Sequence, residues 1–357
     1  MAFNPNITYQ FLMAVEQLTP PTSFLRDRYF PSSENDIFLS TKVLAEFRDG
    51  NKKIAPVVAP RIGGKTIQRQ GSVLKEYEPP LVAPKRNTSI DDIKERGFGE
   101  SILPTLTPEE RASQLALRDA MELDELITRR EEQIAAELLQ NNGYILRPLT
   151  DDDEIYDEFE MFFYDGINNP GLYTVNIPWD AAGGSPMKDF EAMILMLRSR
   201  GLPASELLVA GDVADAIMED EAIYRKLLVP DGKYDIGRIN PAELPEGAAH
   251  IATLNVKGRN IDILTYEETY EDDNGDDVPY ILPGTAIMLA PNIGRTLYGA
   301  VTQMEQADNE FHTYGGRRIP KIHADSDKNV RDMTLSSKPL LMPIQKTPFI
   351  TAKNVLQ

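Results

Sequence analysis

The sequence contains no cysteine among its 357 residues. This absence excludes disulfide bonds and thiolate metal sites, and it fits assembly in a reducing compartment. Histidine is almost as scarce, because only His250, His312 and His323 are present and they stand far apart. We therefore expect neither a histidine-rich metal site nor a cofactor.

Long apolar runs are also lacking. No stretch approaches the roughly 18 residues that a membrane-spanning helix needs. The first residues, MAFNPNITYQFLMAVEQL, have neither the basic start nor the apolar core of a signal peptide. With 41% hydrophobic and 26% charged residues, the composition is that of a soluble globular protein. The length suits about two domains, and we expect no membrane association.

Positive charge is in short supply overall, since the formal net charge is -19, which argues against tight nucleic-acid binding. One segment, residues 48–86, departs from this balance with nine basic residues against three acids. The basic residues are Arg48, Lys52, Lys53, Arg61, Lys65, Arg69, Lys75, Lys85 and Arg86.

The same segment is extended in character. Its prolines exclude a helix, while residues 54–60 and 66–77 are typical of strands around a Gly63-Gly64 turn. A long two-stranded arm has too little apolar surface to fold alone, so we expect it to lie on the acidic surface of another copy. The apolar side chains expected to anchor it are Val57, Val58, Ile67, Val73, Leu74 and Tyr77.

An acidic counterpart lies at residues 150–166, which hold eight acids and no base. The alternation of acidic and apolar side chains predicts a strand or hairpin with one wet acidic face. Neither this stretch nor residues 272–277 has the spacing of a calcium-binding loop. We predict a landing surface for the arm, carried by Asp151, Asp152, Asp153 and Glu154.

Residues 1–40 are punctuated by prolines and contain a short helical stretch at 9–18. The aromatic residues Phe24 and Tyr29 follow, and two interpretations stay open for them. They either pack on the chain's own core as a strand and turn, or dock on a neighbouring copy.

A long helix is predicted over residues 107–140. Thr107, Pro108 and Glu110 form a strong helix start, and an apolar stripe runs along one face at spacings of three and four. Strands and shorter helices follow without regular alternation, and Asn274-Gly275 marks a hairpin. The fold class is therefore α+β.

No catalytic constellation is visible. Gly63-Gly64-Lys65-Thr66 resembles the end of a phosphate-binding loop, but Ala59 occupies the position of its first glycine and no helix follows. Nucleophile-elbow and zinc-protease motifs are absent from the sequence. A hairpin tip explains the glycines better than a nucleotide site.

Taken in order, these parts resemble the major capsid proteins of tailed phages, and specifically the lambda-type family known as phage capsid family E. The resemblance is carried by FLRDRYFP (24–31), residues 57–86, the helix at 117–135, residues 280–306 and DMTLSSKPLLMP (332–343). It implies the Hong Kong 97-type fold and a self-assembling icosahedral shell of hexamers and pentamers around double-stranded DNA.

On that resemblance the chain divides into five parts. Residues 1–45 form an N-terminal arm and 46–98 an extended loop. Residues 99–180 form a peripheral domain with the spine helix, 181–300 an axial domain, and 301–357 the peripheral return with a final strand.

The resemblance also implies partners. We expect a separate scaffolding protein, because only about 40 residues precede the loop, together with a portal and a cementing protein. We expect assembly in the host cytoplasm, no covalent crosslinks and no sequence-specific DNA binding. Two alternatives remain: another virion part, such as a tail tube or portal-associated ring, and an acidic hydrolase.

Overall fold

The computed structural model describes residues 23–47, 73–89, 91–92, 108–148, 158–164, 167–220, 223, 237–243, 247–272, 275–306, 308–325 and 329–357. Its helices are α1 (Phe24–Tyr29), α2 (Pro108–Asn141), α3 (Pro186–Ser199) and α4 (Gly211–Glu219). The strands of the first half are β1 (Val43–Phe47), β2 (Val73–Tyr77), β3 (Lys85–Ser89), β4 (Gly143–Leu146), β5 (Phe159–Phe162) and β6 (Leu172–Tyr173).

The described part of the second half contains fourteen further strands. They are β7 (Glu206–Val209), β8 (Gly237–Glu243), β9 (Ala248–Asn255), β10 (Asn260–Tyr266), β11 (Thr269–Glu271), β12 (Asp277–Pro279), β13 (Ala286–Leu289), β14 (Gly294–Tyr298), β15 (Val301–Met304), β16 (Phe311–Tyr314), β17 (Ile319–Asp325), β18 (Val330–Ser336), β19 (Pro339–Pro343) and β20 (Ile350–Ala352).

The spine helix α2 follows from its sequence. Its 34 residues span about 51 Å at the standard rise. The predicted apolar stripe is buried throughout: Ala116, Ala120, Leu123, Ile127, Ile134 and Leu138. The first half of the stripe packs against Met333 and Leu335 of β18, and the second half joins the main core. One helix therefore ties two packing units together.

The main sheet has seven strands in the order β6-β20-β13-β7-β10-β9-β8. Strands β7 and β10 run parallel, as do β20 and β6, and the other neighbours are antiparallel. Helix α3 contacts β13 and β20, while α4 contacts β10. This mixed pattern confirms the α+β class.

The sheet also bears on the division into domains. Its central strands come from residues 181–300, yet β6 belongs to the predicted peripheral domain and β20 to its C-terminal return. Smaller sheets complete the molecule, with β3 joining β17 and β18, and β14 pairing with β19. The five-part division stays a prediction, and the sheet spans three of its parts.

Two local predictions have different outcomes. The hairpin at Asn274-Gly275 is confirmed, because β11 and β12 pair in antiparallel fashion around it and Gly275 has a φ of 87°. One of the two interpretations of Phe24 and Tyr29 placed them in a strand and turn, and its strand is wrong, because these residues form helix α1. None of the helices that the structure describes is long and apolar enough to cross a membrane.

Candidate subunit interface

The base of the basic arm is a two-stranded ladder. Strands β1 and β2 pair in antiparallel register, from Val43 opposite Tyr77 to Phe47 opposite Val73. The chain therefore leaves the body at Phe47 and returns beside it at Val73. Residues 48–72, which connect the two strands, lie outside the described residues.

The rest of the molecule holds this base in place. Val43 is fully buried and Tyr77 packs against the main core. On the outgoing side, the amide of Ala300 donates to the carbonyl of Ser40 at 2.9 Å. On the returning side, Val82 pairs with Ser337 through two backbone hydrogen bonds of 2.9 and 2.8 Å. Both ends of the arm therefore start from fixed positions.

Lys85 and Arg86 lie in β3 and have acidic partners within the chain. The ammonium of Lys85 is 2.8 Å from Asp332 on β18. The guanidinium of Arg86 contacts Glu122 on α2 and lies 3.5 Å from Asp119. These ion pairs join β3 to its neighbours within the chain, while both side chains stay partly exposed, so their predicted contact with a neighbouring copy stays a prediction.

The other predicted arm residues divide into two groups. Val73, Leu74 and Lys75 lie in β2, at the described base of the arm. The remaining residues fall outside the described part of the chain, and their contacts stay predictions: Arg48, Lys52, Lys53, Val57, Val58, Arg61, Lys65, Ile67 and Arg69.

The acidic stretch is flanked by a hairpin. Strands β4 and β5 pair in antiparallel register, from Gly143 opposite Phe162 to Leu146 opposite Phe159. Beside them, Arg147 donates to Glu158 at 2.9 Å. Asp151, Asp152, Asp153 and Glu154 belong to the connection between the two strands, and these four acids lie outside the described residues.

Helix α1 decides between the two interpretations of Phe24 and Tyr29. Phe24 is 7% exposed and Tyr29 is fully buried in the main core. The Tyr29 hydroxyl donates to Glu206 at 3.0 Å, and Arg28 donates to the same carboxylate. The predicted intersubunit contact is therefore corrected, because packing on the chain's own core leaves these rings almost no free surface.

A fully buried carboxylate links α1 to the spine helix. Glu131 accepts a hydrogen bond from Arg26 of α1 at 2.7 Å and bonds of 2.7 and 3.0 Å from Arg318. Arg318 also donates to Asp124 at 2.5 Å and to Thr128 at 3.2 Å. Burial alone raises the pKa of Glu131, but the two guanidinium groups outweigh it and hold that pKa below its usual range.

The adjacent Glu132 caps helix α1. The side chain of Ser23, at the N-cap position, makes no capping bond. Instead Glu132 accepts the backbone amides of Leu25 at 2.7 Å and Arg26 at 2.9 Å. Burial raises the pKa of Glu132, and these amides oppose the shift only in part. The two neighbouring glutamates thus have pKa values shifted in opposite directions.

Sequence reasoning missed Glu131, Glu132 and Arg318. One signal was present, because the apolar stripe of α2 is interrupted between Ile127 and Ile134. Glu131 lies four residues after the first and three before the second, in line with the stripe. A charged residue on a buried face requires a paired charge. Its partners, 105 and 187 residues away in the chain, could not be read from local pattern.

Two solved structures share this architecture across most of the chain. The capsid protein attributed to a prophage of E. coli CFT073 is 17% identical, with 99% of both chains covered and a TM-score of 0.64. The capsid of Ralstonia phage GP4 is 9% identical, covering 93% of this chain and 90% of that one, with a TM-score of 0.51. The fold is that of phage capsid subunits, the Hong Kong 97 type.

Family membership is more specific than the fold. The family described as phage major capsid protein E matches residues 8–354, and the chain belongs to it. No sequence among the curated proteins is significantly similar. The family is one of structural capsid proteins and not of enzymes, so the hydrolase and the tail-tube alternatives are both set aside.

Proposed function

We propose that this major capsid protein assembles into hexamers and pentamers of an icosahedral shell around double-stranded DNA, and that its basic arm aligns neighbouring subunits. The observation that supports this role for the arm is its anchored base, in which β1 leads out of the body of the subunit and β2 returns paired beside it. An anchored base limits the positions that the connecting residues can reach. That restriction lowers the entropy lost when they bind.

Charge complementarity supports the choice of partner. Residues 48–72 carry six cations and one acid in a chain of net charge -19. We infer that they bind the 150–165 region of the adjacent copy, with Asp151, Asp152, Asp153 and Glu154 at the contact. Each exposed ion pair contributes only about 0–1 kcal/mol. Several weak ion pairs together therefore align the subunits, while a misplaced subunit can still dissociate. The attraction between subunits should weaken as the salt concentration rises.

The sharpest test reverses two charges in the arm. Arg69→Glu with Lys75→Glu should abolish shell assembly and leave the subunit folded, because the arm would then repel the acidic contact. Sedimentation reports assembly and far-ultraviolet circular dichroism reports folding. The matched control is Arg129→Glu with Lys257→Glu, which makes the same change in net charge at two exposed sites outside the arm.

The control separates two causes. Normal assembly of the control with failure of the arm variant supports the proposal. Normal shells from the arm variant contradict it, and equal failure of both variants would assign the effect to net charge alone.

Other partners belong to the same proposal. A separate scaffolding protein, a portal and a cementing protein would act with the shell, which would be assembled in the host cytoplasm. The excess of acids over bases suits an inner surface that repels packaged DNA and keeps it mobile, so the shell would enclose the DNA without sequence-specific binding.

A further inference from the structure

A groove of about 790 Å³ opens at the C-terminal end of the spine helix. Its walls are the last turns of α2, the β4–β5 hairpin, the segment leading through β6, and the β11–β12 hairpin. Three consecutive elements and one hairpin from much later in the chain therefore converge on one concave surface.

Large exposed apolar side chains collect in this groove. Phe162, Leu172 and Leu282 are each between 38% and 45% exposed, and Ile167 is completely exposed. All four line the groove, next to Tyr164 and Tyr270. Scattered apolar residues are normal on a protein surface, but several gathered in one concave site indicate a binding surface.

The polar part of the lining is almost neutral. It consists mainly of amides, such as those of Gln133, Asn168 and Asn169, while Glu137 and Arg147 are its two charged side chains among the described residues. Such a lining suits an apolar peptide of low net charge. It does not suit residues 48–72, with their six cations.

The described chain begins against the turn of α2 that borders this groove. Glu132, which caps α1, directly precedes the lining residue Gln133. A series of ring contacts also connects the two places. Phe24 lies 5.4 Å from Tyr266, and Tyr266 lies 5.8 Å from the lining residue Tyr280, measured between ring centroids. Phe24, next to the first described residue, is therefore two ring contacts away from the lining of the groove.

The composition of residues 1–22 matches the groove. They contain a single charged side chain, Glu16. Phe11, Val15 and Leu18 follow one another at spacings of four and three, which places them on one face of the short helix predicted from sequence. Apolar residues at this spacing are the anchors by which a helix binds an apolar groove.

We propose that residues 1–22 fold back onto their own subunit and occupy this groove, with Phe11, Val15 and Leu18 against its apolar floor. The four linking residues 19–22 span up to about 13 Å when extended, enough to cover the two ring contacts of 5.4 and 5.8 Å that lead from Phe24 to Tyr280. The occupied groove would bury the exposed side chains of Phe162, Leu172 and Leu282 in the free subunit.

The sequence has no native cysteine, so any disulfide must form between cysteines that are introduced for the test. Val15→Cys combined with Leu282→Cys should crosslink within one chain under mild oxidation of the full-length unassembled subunit. Because a tethered segment has an effective concentration in the millimolar range, the yield should not change when the protein is diluted about tenfold. Peptide mass spectrometry identifies the linked pair, and a denaturing gel separates crosslinked monomers from dimers.

The matched control pairs Val15→Cys with Leu195→Cys, an exposed leucine of α3 that does not line the groove. We expect its intrachain yield to be at least about tenfold lower. Dilution-sensitive dimers from the Leu282 pair would overturn the proposal by assigning the groove to a neighbouring copy. Equal yields from both pairs, or no crosslink at all, would also contradict it.

Discussion

Glu131 shows how a single buried charge can set the arrangement of two elements. It lies on the spine helix with no exposed surface and holds one arginine of α1 and one that precedes β17. A buried ion pair adds little net stability compared with an apolar pair, but removing one partner leaves an uncompensated charge. We infer that this carboxylate fixes the position of α1 on the spine.

Replacing this carboxylate tests that inference. Glu131→Gln should lower the free energy of unfolding by about 3–5 kcal/mol, because Arg26 and Arg318 lose their shared counter-charge. Urea denaturation of the unassembled subunit measures the change. Glu125→Gln is the control on the same helix, since Glu125 forms an exposed pair with Arg129 and should cost about 0.5 kcal/mol or less. Equal costs for the two variants would show that Glu131 has no special role.

The contributions of Glu131 and Glu132 to the stability of the fold should depend on pH in opposite directions. The lowered pKa of Glu131 contributes stability above the unfolded pKa, near 4.5, and that stability is lost as pH falls through the folded pKa. The raised pKa of Glu132 contributes stability at low pH, which is lost as pH rises through its folded value.

Unfolding titrations on both sides of the ordinary glutamate pKa of 4.5 should therefore separate the two variants. The cost of Glu131→Gln relative to the unchanged chain should rise with pH below 4.5 and stay level above it. The cost of Glu132→Gln should instead fall as pH rises above 4.5. Costs that change in the same direction would contradict the assignment of the two pKa shifts.

At the scale of single elements, the sequence alone was sufficient to predict a helix whose periodic apolar pattern extends over many residues. The spine helix was predicted over residues 107–140 and is observed as Pro108–Asn141. Its start signals and its apolar stripe can both be read from neighbouring residues, and many residues of the stripe follow the same helical period. On the exposed side of the helix, Glu125 and Arg129 stand four residues apart and form an ion pair of 3.4 Å.

Helix α1 illustrates the opposite case. It has only six residues, too few for a period to be read, and its amide cap comes from Glu132, more than 100 residues away. Tertiary contacts therefore decide that Phe24–Tyr29 is helical. The same reasoning explains Lys85 and Arg86, whose acidic partners on α2 and β18 could not be identified from the sequence.

The basic arm was predicted correctly only in part. The sequence predicted a basic, extended, two-stranded element, and β1 with β2 confirms a paired base. The described partner of Val73–Tyr77 is Val43–Phe47, which precedes the stretch predicted as the partner strand. The predicted boundary between N-terminal arm and loop, at residues 45 and 46, therefore falls inside β1.

At the scale of the whole molecule, the order of the parts was more informative than any one motif. A basic loop, a long helix, a central mixed region and a returning strand predicted a capsid subunit, and the family match over residues 8–354 confirms it. The seven-stranded sheet could not be derived in the same way. It joins β6 and β20, which are about half the chain apart, so only the folded chain shows that they are neighbours.

The central claim is that this chain builds a closed shell from copies of itself. Negative-stain electron microscopy of the protein, expressed with and without its neighbouring phage genes, tests it most directly. We predict closed polyhedral shells of regular size when those genes are present, and curved sheets or irregular shells without a scaffold. A soluble monomer under both conditions would contradict the account.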